Sequence, residues 1–259
     1  MILTIDSGNT NIVFAVFDNG KLRASWRAAN DTRRTADEYG IWLSQLMTLE
    51  GIKREEITGA IIASVVPAVV YSLRSLCIRY FKVEPLVVGD ANVDVGINIL
   101  LESPEEAGAD RIVNAVAAFA AYGGPLIVLD FGTATTFDVV TKEGDYAGGC
   151  IAPGPNLSLE ALHMAAAKLP RVAIEPPQKV IATSTVAAIK SGVFWGYVGL
   201  VEGIVGRIQS EYGAPMKVIA TGGLAALFNR HTAVIQHLDP DLTLRGLWQI
   251  YDRNTRTPA

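Results

Sequence analysis

The chain carries one short arrangement twice, and that repeat constrains its fold more than any other feature. "TIDSGNTNIVFAVFDNG" (4–20) and "VLDFGTATTFDVV" (128–140) each lead an apolar run into an acid, a glycine and a group of hydroxyls or amides. Each then returns along a second apolar run. Superposed, Asp6 falls on Asp130, Gly8 on Gly132, Asn9 on Thr133 and Gly20 on Gly144, an offset of 124 in a chain of 259 residues. A repeat at half the chain length predicts two related lobes, each opened by a hairpin. Gly123-Gly124-Pro125 marks the boundary, giving an N-terminal lobe over 1–122 and a C-terminal lobe over 123–259. No polar linker separates them, which predicts a tight junction rather than a tether.

The first half reads as a β-meander: strands over 2–5, 12–17 and 21–27, the last two joined at Asn19-Gly20. In 35–52 the residues Tyr39, Trp42, Leu43, Leu46 and Leu49 recur at helical spacing, with Thr35 and Glu38 as a capping box and Gly51 as the stop. A buried strand (59–66), a helix (69–81), another strand (85–89) and an alanine-rich helix from 112 follow. The second half repeats the plan, with strands at "LIVLD" and "TTFDVVT", then "YAGGCIAPG", helices over 157–169 and 186–209, and a strand over 216–220 before "TGG". Strands alternating with helices after a meander predict an α/β fold: two lobes, each a mixed sheet flanked by helices.

Half of the residues are hydrophobic, enough to pack globular cores, and the net charge of −4 argues against a nucleic-acid partner. Cys77 and Cys150 with three scattered histidines give no zinc spacing, so both cysteines are expected as small buried hydrophobes. The start lacks a basic leader, and the longest apolar run, 60–73, is short for a membrane span and contains Pro67. A cytoplasmic protein with no membrane partner is the expectation.

A hairpin turn with glycine lets main-chain N–H groups approach a ligand, and Asn9, Thr10, Asn11, Thr133, Thr135 and Thr136 add neutral hydrogen-bonding groups that suit phosphate oxygens. Asp6 and Asp130 suit cations, or cation-bound waters, facing those phosphates. No Lys or Arg lies within 1–20 or 112–141, and no P-loop occurs anywhere. A triphosphate held by these turns must therefore be neutralised by metal ions and main-chain dipoles. One D-x-G corner is ordinary hairpin chemistry; two at matching places, with a third glycine turn at "VIATGG" (218–223), indicate a nucleotide clamped in a cleft.

The paired D-x-G turns and late glycine turn resemble the superfamily of acetate and sugar kinases, actin and heat-shock chaperone ATPases, a duplicated fold of ribonuclease H-like lobes. More closely, "DSGNTNIVFAVF", "GADRIVNAVAA", "DFGTATTFDVV", "GGCIAPG" and "ATGG" are similar to a type III pantothenate kinase over nearly the whole chain. That resemblance implies phosphorylation of pantothenate with ATP and Mg2+, a monovalent cation (potassium or ammonium) and a homodimer. It implies that Asp6, Ser7, Gly8, Asn9, Thr10, Asn11, Ile12 and Val13 form the first ATP loop, with Thr133 contacting ATP in the second. It implies that Gly108, Ala109, Asp110 and Arg111 bind pantothenate, with Asp110 as proton acceptor, that Asp130 binds the monovalent cation and that Thr185 contacts substrate. "GGCIAPG" is expected as a loop flanking the second phosphate site, and "TGG" as the adenosine-side turn. The family often has a tyrosine seven residues before the motif glycine, where this chain has Leu101.

The chemistry of "GADR" agrees. Pantothenate offers a primary hydroxyl, which calls for a carboxylate base, and an acid end, which an arginine fork can hold. The plain alternative is a helix-start Asp with a solvated Arg. Other readings are a different small-molecule kinase of the superfamily, for which Arg111 would have no acid to bind, and a nucleotide-binding regulatory protein without catalysis.

Overall fold

The computed structural model of the protein describes residues 1–165 and 170–256. It divides into two units, one formed by 1–121 with 241–259 and the other by 122–240.

In the first unit, β1 (Ile2–Ser7), β2 (Asn11–Asp18) and β3 (Lys21–Ala29) form the meander, and β4 (Gly59–Ser64) and β5 (Leu86–Val87) extend it in the order β3-β2-β1-β4-β5. β2 runs antiparallel to β1, whereas β4 runs parallel to it. Asn19 and Gly20 both take positive φ at the β2–β3 turn, the conformation an Asn-Gly hairpin needs. Strand alternation sorts the side chains. Leu3, Ile5, Ala60 and Ile62 pack under α1 (Ala36–Leu49) and α2 (Pro67–Leu76), while Ile61 and Ala63 face α3 (Ala109–Tyr122). The Thr35 capping box forms as expected, with Glu38 N–H donating to Thr35 Oγ1 (3.3 Å) and Thr35 N–H to Glu38 Oε2 (2.7 Å). Pro67 opens α2, where its missing N–H costs nothing, and the helix loosens into a π turn over Cys77–Phe81. Arg34 lies over the rings of Tyr39 and Trp42, 4.5 and 5.4 Å from their centroids.

The second unit repeats this topology. β6 (Leu126–Phe131), β7 (Ala134–Val140), β8 (Tyr146–Pro153), β9 (Lys217–Gly222) and β10 (His237–Leu238) lie in the order β10-β9-β6-β7-β8. Again the second strand is antiparallel to the first and the fourth parallel to it. α4 spans Pro155–Ala165; the remainder of the helix expected over 157–169 lies outside the described residues. α5 (Thr185–Tyr212) runs longer than expected, from a Ser184 cap to Gly213 in the left-handed conformation. By length and hydropathy an 18-residue window of α5 could cross a membrane. Phe194, Tyr197, Val201 and Val205, however, pack into a core with β6, β9 and α6 (Ala225–Asn229), as a core helix does.

Two expectations change. The sequence grouping put 242–255 in the second lobe, but that segment forms α7 (Leu242–Thr255) and packs on β1, β4 and α3 of the first unit. Gly246 makes this possible: a Cβ there would fall 2.2 Å from the Val113 carbonyl oxygen, so only glycine lets α7 come this close to α3. Cys77 is buried, its thiol pushed up to about 12 by desolvation, but Cys150 is exposed on the edge strand β8.

Candidate active site

The first turn is closed by its own main chain, Gly8 N–H donating to Asn11 O (3.0 Å). Asn30, just past β3, holds it from the side. Its Nδ2 donates to Gly8 O (2.6 Å) and its N–H to Thr10 O (2.9 Å). Sequence reasoning passed over Asn30; the available signal was an amide at the end of the third meander strand. Asn9, Thr10 and Asn11 project at the exposed tip, and Asp6 and Gly8 are half-buried beneath them. Ser7 is buried, and Ile12 belongs to the core, so Ile12 can offer a ligand only its main chain. Val13 is half-buried beside Phe17 and Leu244.

A cavity of about 340 Å3 opens at the C-terminal ends of β4 and β5, lined by Ser64, Val65, Val88, Gly89, Gly108 and Ile112 among others. Val65 N–H donates to Ser7 O (3.1 Å), which ties this wall to the first turn. Ligands of α/β sheets favour the carboxyl ends of parallel strands, a signal that would have picked out Ser64 and Val88. Leu101 is not among the lining residues, whereas Glu105 and Glu106 are.

The "GADR" segment enters α3 beside this cavity. Gly108 O accepts from the N–H groups of Arg111 (3.0 Å) and Ile112 (3.1 Å), which starts the helix. Asp110 Oδ1 accepts from Arg111 N–H (2.8 Å). Burial raises the Asp110 pKa, and that hydrogen bond and the Arg111 charge only partly oppose it. A Cβ on Gly108 would lie 2.7 Å from Asp110 Oδ1 and 3.5 Å from Arg111 Cδ. The glycine is thus the space that the carboxylate occupies.

The second turn is one residue shorter than the first, with Gly132 N–H donating to Ala134 O (3.0 Å). Thr133 is exposed at its tip, and its carbonyl accepts from Gly154 N–H (3.0 Å). A Cβ on Gly154 would fall 2.3 Å from that oxygen, so the glycine run does flank the turn, although Tyr146–Pro153 is strand β8 rather than loop. Thr135 does not face a ligand. Alternation turns it into the core, where its hydroxyl meets Tyr197 Oη at 2.8 Å. Asp130, near the end of β6, pairs with Thr136 on β7 and Thr221 on β9. Gly222 takes φ +90°, and a Cβ there would lie 2.5 Å from Asp130 Oδ1, so the glycine of the "TGG" turn is what lets the carboxylate stand this close. Among the described residues no three of His, Cys, Asp and Glu gather as metal ligands. A cation here would be held by one carboxylate with neutral and phosphate oxygens, a set that suits hard cations beside a nucleotide. Thr185 heads α5, exposed.

The solved structure of a Baf-family protein from Campylobacter jejuni, described as a transcriptional activator, superposes with a TM-score of 0.60 at 18% identity, over 97% of this chain and 98% of that one. A Listeria monocytogenes protein described as an N-acetylmannosamine kinase gives 0.54 at 11% identity, over 98% and 99%. At these identities the likeness is one of fold, the duplicated two-lobe fold of the actin-like ATPases. Sequence carries further. The type III pantothenate kinase of Paramagnetospirillum magneticum is 66% identical over all of this chain and 99% of its own length. The family model described as type III pantothenate kinase matches residues 2–207, which takes in both turns, the "GADR" helix start and most of α5, and the chain belongs to that family.

Proposed function

We propose that the chain transfers the γ-phosphoryl group of ATP to the primary hydroxyl of pantothenate, with Asp110 as proton acceptor. The reaction follows from the family: pantothenate and ATP are the substrates, a divalent metal accompanies the ATP, and the step opens coenzyme A synthesis. The residue roles are our reading of the site.

One observation carries it. Asp110 stands in the first turn of α3 beside Gly108 and Ala109, which line the 340 Å3 cavity, and burial raises its proton affinity. The substrate hydroxyl oxygen attacks the γ-phosphorus in line. Its proton passes to Asp110, and the bond to the β–γ bridging oxygen breaks with its electrons left on ADP. A base with a raised pKa captures that proton better than an ordinary aspartate. Arg111, whose stem passes over Gly108, holds the pantothenate carboxylate by its fork, which the acidic rim of Glu105 and Glu106 alone would repel.

Main-chain N–H groups and side chains of Asn9, Thr10, Asn11 and Thr133 would take the phosphates, and Asp6 would hold the divalent metal or its waters. Asp130 is the monovalent-cation ligand, its carboxylate set at the end of β6 where Gly222 admits it. Cations held there would supply the positive charge that no Lys or Arg within 1–20 or 112–141 provides. Thr185 is a further substrate contact in this reading. A cytoplasmic homodimer is part of the same reading, supported by the exposed apolar side chains Val180, Ile181 and Val186 beside Thr185.

A coupled assay for ADP with pantothenate, pantothenol and a panel of sugars tests the reading. ADP release that needs pantothenate is the expected result. Turnover of a sugar but not pantothenate would overturn it in favour of another kinase, and nucleotide binding with no turnover would point to a regulatory protein.

A further inference from the structure

We propose that Thr136 is a second ligand of the monovalent cation at Asp130, and that the buried carboxylate of Asp138 orients its hydroxyl for that task. The inference rests on the reading of Asp130 as the cation site and adds residues to it. Thr136 sits directly across from Asp130 in the β6–β7 register, so both side chains leave the same face of the sheet. Two residues on, Asp138 is fully buried and accepts twice: Thr136 Oγ1 donates to its Oδ2 (2.7 Å) and the Tyr146 hydroxyl to its Oδ1 (2.9 Å).

A hydroxyl has one proton. With that proton committed to Asp138, Thr136 Oγ1 presents lone pairs only. It cannot donate to a phosphate oxygen, which was the role its position suggested. An acceptor oxygen next to a carboxylate is a poor place for an anion and a good one for a cation.

The other side of Asp130 points the same way. Thr221 pairs with Asp130 across β6–β9 and is 2% exposed, so its side chain leaves the same face of the sheet as Asp130 and Thr136. Thr136, Asp130 and Thr221 therefore form a row of oxygens over three adjacent strands spaced about 4.8 Å apart. Gly222, where a Cβ would lie 2.5 Å from Asp130 Oδ1, admits the central carboxylate to its place in the row.

The test needs no turnover. The melting temperature of the protein saturated with magnesium and a non-hydrolysable ATP analogue is followed as potassium chloride replaces choline chloride at fixed ionic strength, for the parent, Thr136→Val, Thr136→Ser and Asp130→Asn. A saturable rise in the parent is expected. Thr136→Val, equal in shape but lacking the oxygen, should move the potassium midpoint about tenfold or more upward, the scale of one lost contact to a charge. Thr136→Ser, which keeps the hydroxyl and its bond to Asp138, should stay within about twofold of the parent. In assays at saturating potassium, the Michaelis constant for ATP should move less than the potassium midpoint. If the valine variant does not fold, Thr136→Ala gives the same readout. A parent-like potassium midpoint in Thr136→Val, with Asp130→Asn shifted, overturns the ligand assignment and leaves the cation reading standing. A raised Michaelis constant for ATP with an unmoved potassium midpoint overturns it in favour of a phosphate contact. A parent indifferent to potassium sinks both.

Discussion

Replacing Gly108 by alanine tests whether the position of the Asp110 carboxylate, and not merely its presence, sets the rate. The new Cβ would stand 2.7 Å from Asp110 Oδ1, where ordinary contact begins near 3.4 Å, so the oxygen must retreat by roughly 0.7 Å. Gly108 does not occupy the left-handed region, so alanine is tolerated by the main chain and the strain falls on the side chain. Rotating the carboxylate away costs about 1 kcal/mol in rotamer strain. Losing the 2.8 Å bond from Arg111 N–H costs about 1 kcal/mol more. In a chain of this size those sums correspond to a melting temperature lower by roughly 4–8 °C. Catalysis should suffer more, since a reacting group misplaced by about 1 Å loses on the order of 100-fold. The expectation is a kcat down by about 10- to 100-fold, a nearly unchanged Michaelis constant for ATP, and a protein that still melts cooperatively. Steady-state kinetics on both substrates with a thermal melt measure all three. A parent-like kcat would show that Asp110 need not stand where Gly108 puts it, and the general-base argument would fail.

Asp110→Asn should cut phosphorylation by about 100- to 10,000-fold, measured by the coupled assay. Because burial raises the Asp110 pKa, its carboxyl favours folding when protonated and loses that contribution as pH rises through the folded-state pKa. The Asn variant should therefore melt no lower than the parent at pH 7, and a clearly lower melting temperature would contradict the sign. For the same reason the acid limb of the parent's kcat/KM profile should lie above the ordinary aspartate value of 3.8, and a limb at or below it would remove Asp110 from the titration. Arg111→Ala should raise the Michaelis constant for pantothenate far more than that for ATP, by about 2–5 kcal/mol in binding, and should erase the disadvantage of pantothenol. An equal effect on both substrates would make the arginine structural. Thr35→Ala, outside the residues assigned to the site, should lower stability by about 1 kcal/mol through loss of the capping box and leave kinetics untouched.

What the sequence determined by itself are the features that short-range physics writes into neighbouring residues. Both hairpins, the Asn19-Gly20 turn, the Thr35–Glu38 capping box and the start of a helix at "GADR" were legible, because each depends on φ, ψ and hydrogen bonds within a few residues. The duplication was legible too, since the repeat placed one acid and two glycines of each half at one offset, and the two sheets share one topology. What only the tertiary structure decided are relations between residues far apart in the chain. The amphipathic pattern of α7 asks for an apolar surface but not for a particular one; Gly246 against Val113 and Leu247 against β4 selected the first sheet. Alternation separates Thr135 from Thr136 but does not say which faces the core, and Tyr197, some sixty residues on, settles it. Asn30 under the first turn, Gly154 on the second, Gly108 and Gly222 beside their carboxylates, and Ser64 and Val88 in the cavity wall all act through close approach. Close approach is set by how the main chain packs in three dimensions, and a glycine or a small polar residue looks the same in the sequence whether or not another strand lies against it.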